Sequence, residues 1–127
     1  MSAAKLLVPC MLALALACVG AAHAQPSAER GKAKFEHSCA PCHGAGVGDD
    51  GRAMLPGTDA LRIKYKGANP PVPALLEQRT DLTAPVIKVF VRHGSFSMPP
   101  FRPTELTDAE IADIAAYIGV TSKRAAK

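Results

Sequence analysis

Cys39-Ala40-Pro41-Cys42-His43 places two thiols and an imidazole on five consecutive residues. Two cysteines separated by two residues can close a disulfide, act as a redox dithiol, supply half of a metal site or anchor a cofactor through sulfur. A dithiol of the thioredoxin kind sits among alternating strands and helices, and the sequence shows no such alternation. A zinc site needs about four ligands, but the other two cysteines, Cys10 and Cys18, stand in an N-terminal apolar stretch. A plain disulfide leaves the adjacent His43 without a purpose. Haem attachment uses all three groups. Thiols at this spacing reach the two vinyl groups on one porphyrin edge and form thioethers, while the next residue projects toward the iron as an axial ligand. The expected cofactor is one haem c per chain, bound covalently by Cys39 and Cys42 and ligated by His43.

A second axial ligand has to come from the opposite face of the ring, far along the chain. Met98 lies in Phe96-Ser97-Met98-Pro99-Pro100-Phe101, where prolines stiffen an extended loop and aromatics flank it. Met54 follows His43 by a short path and reads as packing. His93 stands where a helix should end, a position suited to capping carbonyls. Met98 is therefore the expected ligand, giving the His/Met pair known for electron-transfer haems. Ligating histidines donate their second ring N–H to a fixed acceptor, and the Pro56 carbonyl is the candidate for His43.

Residues 1–24 read as a leader rather than as fold. Lys5 opens it, residues 6–22 are almost unbroken apolar sequence, and Ala22-His23-Ala24 is a small-x-small cleavage signal. The run is too short for a convincing membrane span, so no stable anchor is expected and the product is placed in the periplasm. A lipoprotein reading at Cys18 is weaker, because Ala15 stands where a larger aliphatic belongs. Losing Lys5 lowers the formal charge of +4 by one, too mild a balance to imply nucleic acid. The mature chain has no Trp and few other aromatics, so a large internal cofactor would help to fill so small a domain.

The elements that must position these groups read as helices. Ser27 can cap a helix of about ten residues that runs into Cys39, with Gly31 and Phe35 on one face. Glycines between 44 and 57 and prolines between 69 and 73 mark loops, with short helices expected over 59–66 and 74–79. The β-branched run 86–91 has strand propensity, but Thr83, Pro85 and Gly94 supply the start and stop of a helix. Thr107 and Glu110 form a capping box before Ile111, Ile114, Ala115 and Ile118 at helical spacing, and this helix is expected to stop at Gly119. Its apolar face is the natural partner of the Gly31/Phe35 face. The division expected is a leader at 1–24, a haem-binding domain at 25–120 and a frayed basic tail at 121–127.

Through Gly31, Phe35, Cys39-Ala40-Pro41-Cys42-His43, Pro56, Met98 and the last helix, the mature region resembles the monohaem class of small soluble cytochromes c. That resemblance implies an all-α fold around one enclosed haem, and electron transfer without a catalytic site of its own. Tyr65-Lys66-Gly67, Arg79-Thr80-Asp81-Leu82, Phe90-Val91-Arg92-His93-Gly94 and Met98-Pro99-Pro100-Phe101-Arg102 look like the cytochrome subunits of p-cresol methylhydroxylase-type flavoproteins. This implies a flavoprotein dehydrogenase or hydroxylase as donor and a further protein as downstream acceptor. A freely diffusing carrier is the second reading, and a haem ligand sensor or peroxidase the third.

Overall fold

The computed structural model describes residues 25–48, 51 and 53–127; the expected leader, 1–24, lies outside the described residues. In chain order the helices are α1 (Ala28–Ser38), α2 (Ala40–His43), α3 (Pro56–Lys64), a 3-10 turn at Leu76–Gln78, α4 (Ala84–His93) and α5 (Asp108–Ala125). The fold is all-α, as the helical periodicity implies.

The first and last helices form the frame. Ser27 starts α1 by accepting a hydrogen bond on Oγ from the Arg30 amide at 3.3 Å, which satisfies one of the free amides of the first turn. At α5, Thr107 Oγ1 accepts from the Glu110 amide at 3.2 Å while the Glu110 carboxylate accepts from the Thr107 amide at 2.8 Å, the reciprocal box expected. The two helices cross at Gly31. A β-carbon there would stand 1.9 Å from the Asp113 carbonyl oxygen and 2.9 Å from the Ile114 amide nitrogen, so only glycine admits the contact. One turn on, the rings of Phe35 and Tyr117 lie 5.4 Å apart between centroids at 51°.

Phe35, Ile87, Val91, Leu106, Ile111, Ile114 and Ile118 make one buried cluster. Removing a side chain of this size from water contributes about 1.5–3 kcal/mol, so α1, α4 and α5 are held by a shared core. Tyr117 ties α5 to the 3-10 turn by donating to the Glu77 carboxylate. Burial first, and then Glu77, push its phenol up to about 12, which keeps it a donor at neutral pH. Asp113 is buried where the two long helices meet. It accepts from the Ser27 amide at 2.6 Å and from Arg30 Nε and Nη2 at 2.8 and 2.9 Å, holding its pKa below the ordinary carboxylate value.

Four details differ from the sequence reading. The third helix starts at Pro56 instead of residue 59 and ends at Lys64, because proline is well suited to a first helical turn. The segment 74–79 tightens only into a 3-10 turn. Thr83 takes the extended backbone of a cap, but its side chain makes no capping hydrogen bond. The last helix does not stop at Gly119 but continues to Ala125, with Ser122 buried near its end. Gly119 stops nothing because its backbone stays helical, and Val120, Thr121 and Ser122 carry the helix on to the better formers Lys123, Arg124 and Ala125.

Candidate functional site

The cysteine pair sits on the single turn of α2 directly after α1. The Cys39 amide donates to the Phe35 carbonyl at 2.8 Å, and the Cys39 carbonyl accepts from the amides of Cys42 at 3.1 Å and His43 at 2.8 Å. Cys39 thus closes one helix and caps the next, with Pro41 in the first turn where its missing N–H costs nothing. The turn points the two thiols differently: Cys39 is half-buried and packs against the core cluster, whereas Cys42 is exposed. Burial first and the neighbouring Cys42 second push the Cys39 thiol up to about 11. It is therefore protonated at neutral pH, unlike the low-pKa cysteine of a redox dithiol. Among the described residues no three His, Cys, Asp or Glu side chains come together as a metal site.

His43 ends α2 and faces α3. Burial lowers its pKa, which favours the neutral imidazole that a metal requires. Its Nδ1 is buried and has no hydrogen-bond partner, so the expected bond to the Pro56 carbonyl is not made. As the first residue of α3, Pro56 directs its carbonyl along the helix axis. What lies against the imidazole is Gly57, where a β-carbon would stand 2.7 Å from His43 Cε1, 2.8 Å from Nδ1 and 2.8 Å from the Cys42 carbonyl oxygen. Thr58, buried beside it, donates from Oγ1 to the Gly44 carbonyl at 3.1 Å, locking α3 onto the residue after His43.

Met98 occupies a strap, residues 95–101, between α4 and the approach to α5. At the front, Gly94 ends α4 with φ +68°, and Ser95 and Met98 exchange backbone hydrogen bonds of 3.1 and 2.9 Å. At the back, the Phe101 amide donates to the Val91 carbonyl at 2.7 Å. Between these ties Met98 is half-buried against the cluster that also contacts Cys39 and Ala40. The other two candidate ligands lie elsewhere. His93 Nδ1 lies 2.9 Å from the Val89 carbonyl of its own helix, the capping role expected. Met54 borders a cavity of about 310 Å³ with Gly44, Thr58, Leu75 and Gln78.

These donors fit a covalently bound haem: two thiols three positions apart on one helical turn, an imidazole kept neutral and stranded at Nδ1, and a thioether on a fixed strap over the same core. The sequence model of the family described as Cytochrome C oxidase, cbb3-type, subunit III matches residues 26–118. The chain belongs to this family. It is an electron-carrying c-type cytochrome, of a family that binds haem c. No curated protein and no solved structure matches the chain. No helix among the described residues is long and apolar enough to cross a membrane.

The structure also adds residues that the sequence reading passes over. Gly57 and Thr58 hold α3 to the turn that carries Cys42 and His43, and Arg92 bonds the far end of the strap. A glycine directly after Pro56 was a signal for close approach to His43. Arg92 offered none, since a basic residue in a last helical turn is already accounted for by the helix dipole.

Proposed function

We propose that the cytochrome works in the periplasm with one haem bound through Cys39 and Cys42 and ligated by His43 and Met98. On this reading it accepts single electrons from a flavoprotein dehydrogenase or hydroxylase and passes each to a downstream acceptor. The observation that supports it best is the strap, which is tied at both ends and seats Met98 on the core that also contacts Cys39. Bound haem supplies a one-electron ferric/ferrous couple, and thioether ligation favours its ferrous state. The chain's own residues anchor the ring at α2, hold His43 against α3 and shield the opposite face with the strap. Two protein ligands leave no iron position for a substrate, which makes the protein a carrier and not an enzyme.

Replacement of Met98 by Ala tests the ligand set. The sulfur-to-iron absorption of the oxidised protein should vanish and the reduced protein should bind carbon monoxide; persistence of the band removes Met98 as ligand. For the donor, the support is the shared short motifs and an apolar tip on the strap. Phe96, Pro99 and Pro100 are exposed, and Phe96 is wholly so at 102%, while Phe101 turns inward against the core. A flavoprotein copurifying with the cytochrome should have its reduced flavin reoxidised by the ferric protein, and Phe96→Ser should slow that transfer. Equal rates for the two proteins would count against docking through the strap.

A further inference from the structure

We infer that Arg92 is a positioning residue for the axial methionine, clamping the strap so that Met98 stays on the iron; this rests on the reading of Met98 as ligand. The Arg92 side chain is only 15% exposed and reaches across three segments. Nη1 donates to the Phe101 carbonyl at 3.1 Å, and Nη2 donates to the Leu106 carbonyl and to Asp108 Oδ1, both at 2.7 Å. The preceding residue holds the same point from the other side, through the bond from the Phe101 amide to the Val91 carbonyl. Both backbone polar groups of Phe101, three residues after Met98, are thus fixed by the last turn of α4.

The geometry suits arginine alone. A guanidinium is a planar fork with five donors, whereas an ammonium is a point charge that cannot span acceptors on three segments. Hydrogen bonds from charged donors are stronger than neutral ones, and two of these end on backbone carbonyls that no other side-chain substitution can remove. The front of the strap has only the Ser95–Met98 bridge, and Phe96 there is fully exposed with φ +52°. Opening should therefore be resisted mainly at the Phe101 end. With Arg92 in place the strap spends little time open. Without it, Phe101 and Leu106 lose their donor and the open form gains population.

Imidazole binding to the oxidised holoprotein measures that population, because imidazole can ligate the iron only when Met98 has left. Apparent affinity scales with the fraction open, so Arg92→Gln should tighten imidazole binding by roughly tenfold. Arg92→Lys, which keeps the charge should the glutamine variant not fold, should move in the same direction. Lys88→Gln should have no effect, since Lys88 donates to Asp108 Oδ2 and not to the strap. In a Met98→Ala background, Arg92→Gln should leave imidazole affinity unchanged. Wild-type affinity in both Arg92 variants, or an Arg92 effect that persists without Met98, overturns the proposal. If Met98→Ala alone binds imidazole no tighter than wild type, it is the Met98 reading that fails, a result visible without any change at Arg92.

Discussion

Gly31 stands inside α1 and Gly119 inside α5, and alanine should move stability in opposite directions at these two. On propensity alone either substitution gains about 1 kcal/mol. At Gly119 nothing lies within 4 Å of the new methyl, so Gly119→Ala should stabilise by about 0.5–1 kcal/mol. At Gly31 the methyl would stand 1.9 Å from the Asp113 carbonyl oxygen and 2.4 Å from its carbon. These are backbone atoms of a packed helix and cannot swing aside. Restoring ordinary contact requires α1 and α5 to separate by about 1.5 Å, and gaps of 0.5–1 Å already forfeit a quarter to a half of the dispersion attraction. The loss falls on Phe35, Ile114 and Ile118, the most buried side chains at this crossing. Overpacking of this kind costs about 3 kcal/mol or slightly more, leaving a net loss of about 2–3 kcal/mol after the propensity gain. For a domain this small, that lowers Tm by about 10–20 °C. Guanidinium unfolding of the holoprotein, followed by helical circular dichroism, measures both variants. If Gly31→Ala is as stable as wild type or more so, the close crossing is wrong and helix propensity governs the site.

Gly57→Ala should force α3 off the His43 ring and lower the yield of covalently loaded protein at least several-fold; the readout is the ratio of haem absorbance to protein, and an unchanged ratio refutes the contact. Asp113→Asn should destabilise by about 2 kcal/mol at pH 7, the range for hydrogen bonds to a charged group. Because Arg30 and the Ser27 amide depress the Asp113 pKa, this stability is complete above the ordinary value of 3.8 and lost as pH falls through the lower folded value. Acid titrations of the two proteins should converge at the low end, and parallel curves would show that Asp113 contributes no pH dependence. Thr107→Ala should cost about 1 kcal/mol by removing the α5 cap, read as a shift in denaturant midpoint without a change in slope.

Much of the site was legible along the chain because its chemistry is local. Cys39, Cys42 and His43 are adjacent in sequence, so the turn that presents them needs only the end of α1 and Pro41. The caps at Ser27 and Thr107 are equally local, since each side chain bonds an amide three residues on, and the helical spacing of Ile111, Ile114 and Ile118 marks the core face. Gly119 misled for the converse reason. A glycine ends a helix only when its backbone leaves the helical conformation, as Gly94 does at φ +68° and Gly119 does not.

Only the tertiary structure decided how the distant parts meet. It put Asp113 between Ser27 and Arg30, set Gly57 rather than the Pro56 carbonyl against His43, and joined Arg92 to Phe101, Leu106 and Asp108. Several of those contacts go to backbone atoms, which every residue carries alike. The cysteine-histidine motif by itself therefore pointed to haem c, the cofactor that the family binds, because that signal depends on residue type and spacing. Which carbonyls come within reach of Arg92, by contrast, is a property of the folded path.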